Sequence, residues 1–176
     1  MAASSESDTQ LQALAEHLAA AASDPRRYLS ANDVDDIEEA FADTDANEDG
    51  VVTREEFEQT LDEFPLPDEE AAAIREALAG HEGEGVSLDA VMVMRAQAKL
   101  RGRAEVVRRS FESVDTDRSG SLDIDELAKF MAETGSGDVQ AERDRLLAAI
   151  DADGNSEISF DEFLRYNLNL SYPKVV

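Results

Sequence analysis

The sequence predicts an all-α fold: four helix–loop–helix units in two pairs, with an extra N-terminal helix and short β-bridges between paired loops. Three observations predict it. Ala, Leu and Glu are abundant, β-branched runs are short and only four prolines occur in 176 residues, so helix is the favoured local state. Apolar residues recur at helical spacing. Four twelve-residue stretches begin at residues 45, 79, 115 and 151, spaced by 34, 36 and 36, the mark of an internal repeat.

Taken in order, residues 1–7 are polar and expected to fray. Asp8 or Thr9 can cap a helix running to about Ala22, with Leu11, Leu14 and Leu18 as its apolar stripe. Asp24-Pro25 breaks the chain. Val34, Ile37 and Phe41 form the stripe that enters the first loop. Phe57, Leu61 and Phe64 leave it, until Pro65-Leu66-Pro67 stops the helix. Pro67 can open the next helix, with Ile74 and Leu78 on one face. Val107, Phe111 and Val114 lead into the third loop, and Leu127, Phe130 and Met131 lead out. Gly135-Ser136-Gly137 is a break, and Asp138 can cap the helix that carries Leu147 and Ile150 into the fourth loop. Phe163, Leu164 and Leu168 complete the core before Tyr172-Pro173. The expected divisions are 1–30 for the tail and extra helix, 31–101 for the first pair and 102–176 for the second.

The third loop, Asp115-Thr-Asp-Arg-Ser-Gly-Ser-Leu-Asp-Ile-Asp-Glu126, places oxygen-bearing side chains at positions 1, 3, 5, 9 and 12 and glycine at position 6. It resembles the calcium loop of the EF-hand family. A hard cation such as Ca²⁺ takes six to eight oxygens, which a short loop supplies from alternating positions. The resemblance implies ligands from Asp115, Asp117 and Ser119, the Ser121 carbonyl, Asp123 directly or through water, and both oxygens of Glu126. Gly120 makes the sharp turn, having no Cβ to clash. The first loop aligns with Asp45, Asn47, Asp49, the Val51 carbonyl, Thr53 and Glu56. The fourth aligns with Asp151, Asp153, Asn155, the Glu157 carbonyl, Ser159 and Glu162. Here Ser156 stands where the turn glycine belongs, with an expected cost of roughly 1 kcal/mol and a binding loss of about fivefold. In the second unit Ala79 and Ala90 occupy positions 1 and 12, and Glu82 and Glu84 face away. It is a collapsed unit whose Val86 is expected to bridge to Val52 and brace the first loop, as Leu122 should pair with Ile158.

The layout of three live loops and a lost second one is similar to the sarcoplasmic calcium-binding proteins and their bacterial relative calerythrin, over about residues 33–170. That resemblance implies a calcium buffer or signal modulator with three Ca²⁺ sites and Mg²⁺ as competitor. The alternative is a sensor that exposes a hydrophobic groove to a target protein. Met92, Met94 and Met131 are few for such a groove, which favours the buffer. The third loop has four acidic ligands against three in each of the others, so it is expected to fill early.

Composition limits the rest. A formal charge of −25, from 41 acidic and 16 basic residues, repels nucleic acid. Hydrophobic residues are 42%, enough for a core. Cysteine is absent, which removes disulfide and thiolate chemistry. No apolar run approaches the ~20 residues of a membrane span, and a signal peptide is not expected, since the first residues lack its basic start. The expectation is a cytoplasmic monomer. No zinc-spaced histidines, nucleophile elbow or phosphate loop occurs, so no enzyme is expected, and His17 and His81 are read as surface residues. Arg95–Arg109 is a basic island read as relief of self-repulsion or, less favoured, a docking strip for an acidic partner or for the protein's own acidic loops. Gly102 within it is read as a bend.

Overall fold

The computed structural model describes residues 12–63, 75, 76, 79, 85–133 and 139–172; of residues 61–63, 130–133, 139, 140, 142 and 143 it gives backbone alone. Among the described residues the order is α1 (Gln12–Ser23), a 3₁₀ turn (Pro25–Tyr28), α2 (Ala31–Thr44), β1 (Val51–Val52), α3 (Arg54–Glu63), β2 (Val86–Ser87), α4 (Leu88–Val114), β3 (Ser121–Leu122), α5 (Ile124–Glu133), α6 (Val139–Ile150), β4 (Ile158–Ser159) and α7 (Phe160–Ser171). The fold is all-α, as expected. The Pro67 helix start, the Asp138 cap, Glu82 and Glu84 lie outside the described residues.

The backbone forms two compact units, residues 21–97 and, separately, the chain up to Ala20 with the chain from Ala98 onward. In the first unit, α2 starts at a capping box. Ser30 Oγ accepts the Asp33 N–H at 3.2 Å, and the Asp33 carboxylate accepts the Ser30 N–H at 2.8 Å. α2 delivers half-buried Phe41 to a core of Val52, Phe57 and Val86, joined by Ala90, Val91 and Met94. β1 and β2 are antiparallel, Val52 opposite Val86 and Val51 opposite Ser87. The bridge therefore forms in the expected register. Gly85 precedes it at φ +66°, and a Cβ there would stand 3.0 Å from the Val52 carbonyl oxygen. The collapsed loop thus keeps a residue that lets its backbone approach the first loop closely.

The second unit is built around Phe111. Its ring meets Phe160 edge-on at 5.3 Å and Phe163 at 5.7 Å, geometries that aromatic pairs favour. Val107, Val114, Leu122, Leu127, Ile150, Ile158, Leu164 and Leu168 are buried with it. β3 and β4 pair antiparallel, Leu122 opposite Ile158. The Arg108 guanidinium lies over Phe160 at 4.7 Å, so one member of the basic island has a specific seat.

α4 is helical throughout from Leu88 to Val114, Gly102 included. One unfavourable glycine costs ~1 kcal/mol, too little to break a helix whose apolar face is buried at Ala96, Leu100, Ala104 and Val107. Two expectations change, both in α1. His17 is buried, 8% exposed, and not a surface residue. The buried line of α1 is Ala13, His17 and Ala21, at i, i+4 and i+8, while Leu14 and Leu18 are half-buried. The leucine stripe lies on the flank of that line.

Candidate metal centre

Each loop is held first by its position-1 aspartate. Asp45 accepts the N–H of Asp49 at 3.2 Å and of Gly50 at 2.9 Å. Asp115 accepts those of Ser119 and Gly120, both at 3.0 Å. Asp151 accepts those of Gly154 at 2.8 Å and Ser156 at 3.0 Å. A carboxylate accepts several bonds at once, and here each one folds the chain around itself. Position 3 adds a second turn: Asn47, Asp117 and Asp153 each accept the position-5 N–H, at 2.9, 2.9 and 3.1 Å. Ser119, through its hydroxyl and then its N–H, holds the Asp117 carboxyl below the ordinary aspartate range. Ser119 Oγ also lies 2.9 Å from the Ser121 carbonyl oxygen, which places those two oxygens side by side. Asp49 Oδ1 and Asn155 Oδ1 accept the N–H of Val51 at 3.0 Å and of Glu157 at 2.8 Å.

Position 9 has a role that the ligand pattern does not express. Thr53 Oγ1, Asp123 Oδ1 and Ser159 Oγ accept the N–H of Glu56, Glu126 and Glu162 at 3.3, 2.8 and 3.3 Å. They cap the exit helices, and Ser159 with Glu162 completes a capping box. The signal was in the sequence as a Thr, Asp or Ser three residues before a Glu. The position-12 carboxylates answer the caps. Glu56 Oε2 accepts the N–H and hydroxyl of Thr53 at 2.9 and 2.8 Å, which keep Glu56 below the ordinary glutamate range. Glu162 Oε2 does the same with Ser159, both at 2.9 Å. Glu126 Oε2 accepts the Asp123 N–H at 3.3 Å.

The other carboxylate oxygen separates the loops. Glu126 Oε1 accepts the Thr116 N–H at 2.7 Å and its hydroxyl at 2.9 Å. Glu162 Oε1 accepts the Ala152 N–H at 2.8 Å. In the first loop the equivalent N–H, that of Ala46, donates to the Thr44 carbonyl at 2.9 Å. Glu56 Oε1 is then buried without a hydrogen bond. A buried carboxylate oxygen lacking a donor is costly unless a cation serves it.

The structure brings together one carboxylate oxygen each from Asp115, Asp117 and Glu126, all within 4.8 Å of one another, and likewise from Asp151, Asp153 and Glu162. Asp123 is outside the first of these groups. Hard, converging oxygens suit a divalent cation that prefers oxygen ligands. The donors fit such an ion in the third and fourth loops by convergence, and in the first by the orphaned oxygen of Glu56.

Ser156 takes the left-handed conformation at φ +69°. Each of the three loops has two left-handed residues, at positions 4 and 6: Glu48 and Gly50, Arg118 and Gly120, Gly154 and Ser156. The fourth loop has exchanged which of the two is glycine. Every loop therefore carries one strained side chain, and Ser156 adds no net penalty of the kind expected from position 6 alone.

A helix–loop–helix protein with paired loops and clustered carboxylates is the class that this geometry defines. The family model for an EF-hand domain pair matches residues 104–166, and one for a single EF hand matches residues 37–61. The 16 kDa calcium-binding protein of Schistosoma mansoni is 32% identical over 132 residues, 73% of this chain and 90% of that protein. Putative calmodulin-like protein 6 of Oryza sativa subsp. japonica is 26% identical over 144 residues, 78% of this chain and 85% of that protein. Calcium-dependent protein kinase 3 of the same plant is 28% identical over 139 residues, and the chain spans only 25% of its length. The chain belongs to the EF-hand family.

Proposed function

We propose that the protein binds Ca²⁺ through three loops, 45–56, 115–126 and 151–162, and acts as a calcium buffer or signal modulator without catalytic activity. The observation that carries this reading is the state of the position-12 glutamates. Glu126 and Glu162 each share a 4.8 Å cluster with two aspartates, and Glu56 holds a buried oxygen with no donor. Such groupings of like charge are tolerable when a cation neutralises them. The ligands assigned are Asp45, Asn47, Asp49, Val51, Thr53 and Glu56; Asp115, Asp117, Ser119, Ser121, Asp123 and Glu126; and Asp151, Asp153, Asn155, Glu157, Ser159 and Glu162. Mg²⁺ competes for the same oxygens but demands tighter octahedral geometry. No helix among the described residues is long and apolar enough to cross a membrane.

Calorimetric titration with Ca²⁺ at physiological Mg²⁺ tests the reading. Three equivalents bound is the expected result, and no retention at millimolar Ca²⁺ refutes it. The sensor reading draws support from the calmodulin-like relative. Against it, Met92 is buried at 1% exposure and Met94 packs on the first core. A large Ca²⁺-dependent rise in the fluorescence of an apolar dye would favour the sensor.

A further inference from the structure

We propose that α1 is a latch on α7, released when the fourth loop takes its ion; the inference rests on the metal-binding reading of that loop. α1 is seated by polar contacts near its beginning. The Ala13 N–H donates to Asp161 Oδ1 at 2.8 Å. Arg165 reaches Glu16 with both terminal nitrogens, at 2.6 and 3.3 Å, and Asp161 Oδ2 at 3.2 Å. Asp161 thus holds α1 on one oxygen and the Arg165 bridge on the other.

Asp161 is also the residue immediately before Glu162, the closing ligand of the fourth loop. Both lie in the first turn of α7, after the Ser159 cap. Glu162 is tied to Ser159 and, across the loop, to the Ala152 N–H. An ion closed by both Glu162 oxygens takes the place of these donors, at a cluster where a Glu162 oxygen already stands within 4.8 Å of oxygens of Asp151 and Asp153. It also brings two positive charges beside Asp161, where they oppose Arg165 for the same carboxylate. The clasp is half-exposed, with side-chain accessibilities of 35% for Arg165 and 49% for Glu16. Pairs of that kind hold weakly, so the ion can displace them. Coupling is reciprocal: if the ion loosens α1, then α1 opposes the ion.

Hydrogen exchange at the Ala13 amide, followed in the full chain with and without Ca²⁺, reads the latch directly. Saturation should speed exchange at Ala13 about tenfold, a modest coupling. In Glu162→Gln, which disables the fourth loop, Ala13 should stay protected at the same Ca²⁺. Glu16→Gln, a mild change at a half-exposed site, should raise fourth-loop affinity about threefold, a weak pair's worth, and leave the first loop unchanged. If calorimetry counts an ion in the fourth loop and Ala13 protection does not change, the latch is wrong and the metal reading stands. If no loop binds Ca²⁺, both fall together.

Discussion

The first and second pairs of loops use one twelve-residue pattern and reach different states. In the third and fourth loops, the position-2 N–H reaches across to the closing glutamate, at 2.7 Å from Thr116 and 2.8 Å from Ala152. In the first loop that N–H turns back to Thr44, and Glu56 Oε1 has no formed hydrogen bond, the Asn47 and Ala46 amides lying only near enough to help hold its carboxyl low. The third and fourth loops also pair with each other, and each has a cluster of three carboxylates. The first faces a loop that has alanine where both end carboxylates belong. One pair thus satisfies its glutamates internally and divides its charge between two sites. The other concentrates its demand on one site and uses the second loop as a brace. Ligand count favours early filling of the third loop, whereas the orphaned oxygen favours the first.

The largest effect should come from removing ions. Each site filled at a hundred times its Kd adds about 2.7 kcal/mol to stability. Chelation should therefore lower the melting temperature by many degrees. Glu56→Gln should abolish any Ca²⁺-dependent exchange protection in residues 31–63 and 85–97, since no second live loop stands there. Glu126→Gln should leave a Ca²⁺ response in the second pair through Glu162. Persistent protection of the first pair in Glu56→Gln would break the comparison. Next in size is Gly85→Ala, which forces a Cβ into a left-handed backbone 3.0 Å from Val52 O. It should destabilise the first pair by about 1–3 kcal/mol, measured by urea denaturation, through strain and overpacking.

Smaller effects separate the loops by their turns. Gly154→Ala should weaken the fourth loop by about 1 kcal/mol, and Ser156→Gly should strengthen it by about the same. If Ser156→Gly does nothing while Gly154→Ala is severe, position 4 governs the turn alone. The smallest concerns Glu58, which Arg75 holds below the ordinary glutamate range through hydrogen bonds of 2.7 and 2.8 Å. Its carboxylate is favoured in the folded state, so its contribution is complete above the ordinary glutamate range and fades as pH falls through the lowered value. An NMR titration should show Glu58 depressed, and Arg75→Met should return it to normal.

The fold was legible because its period is rigid. Placing Val52, Val86, Leu122 and Ile158 at position 8 of their loops predicts both bridges, and Val52 does face Val86 and Leu122 does face Ile158. A two-residue strand tolerates no slip when its neighbours are buried. What stayed hidden depends on contacts that no spacing encodes. Which acceptor the Ala46 N–H chooses is a matter of one turn's geometry. The buried line of α1 was misjudged because leucines suggested the stripe, while Ala13, His17 and Ala21 are the residues that are buried. The exchange at Gly154 and Ser156 could have been read by comparing position 4 across the loops as well as position 6.

Beside the β3–β4 bridge, a side-chain contact joins the third and fourth loops: Ser121 Oγ donates to Glu157 Oε2 at 2.8 Å. Both residues stand at position 7, where each loop's backbone is to serve its own ion. Whatever moves one of them is felt by the other, with no helix in between. Occupation of this half should therefore rise steeply over a narrow concentration range, while the half with a single live loop answers in proportion. A chain built so would register a small rise in free ion and a large one as two distinct events.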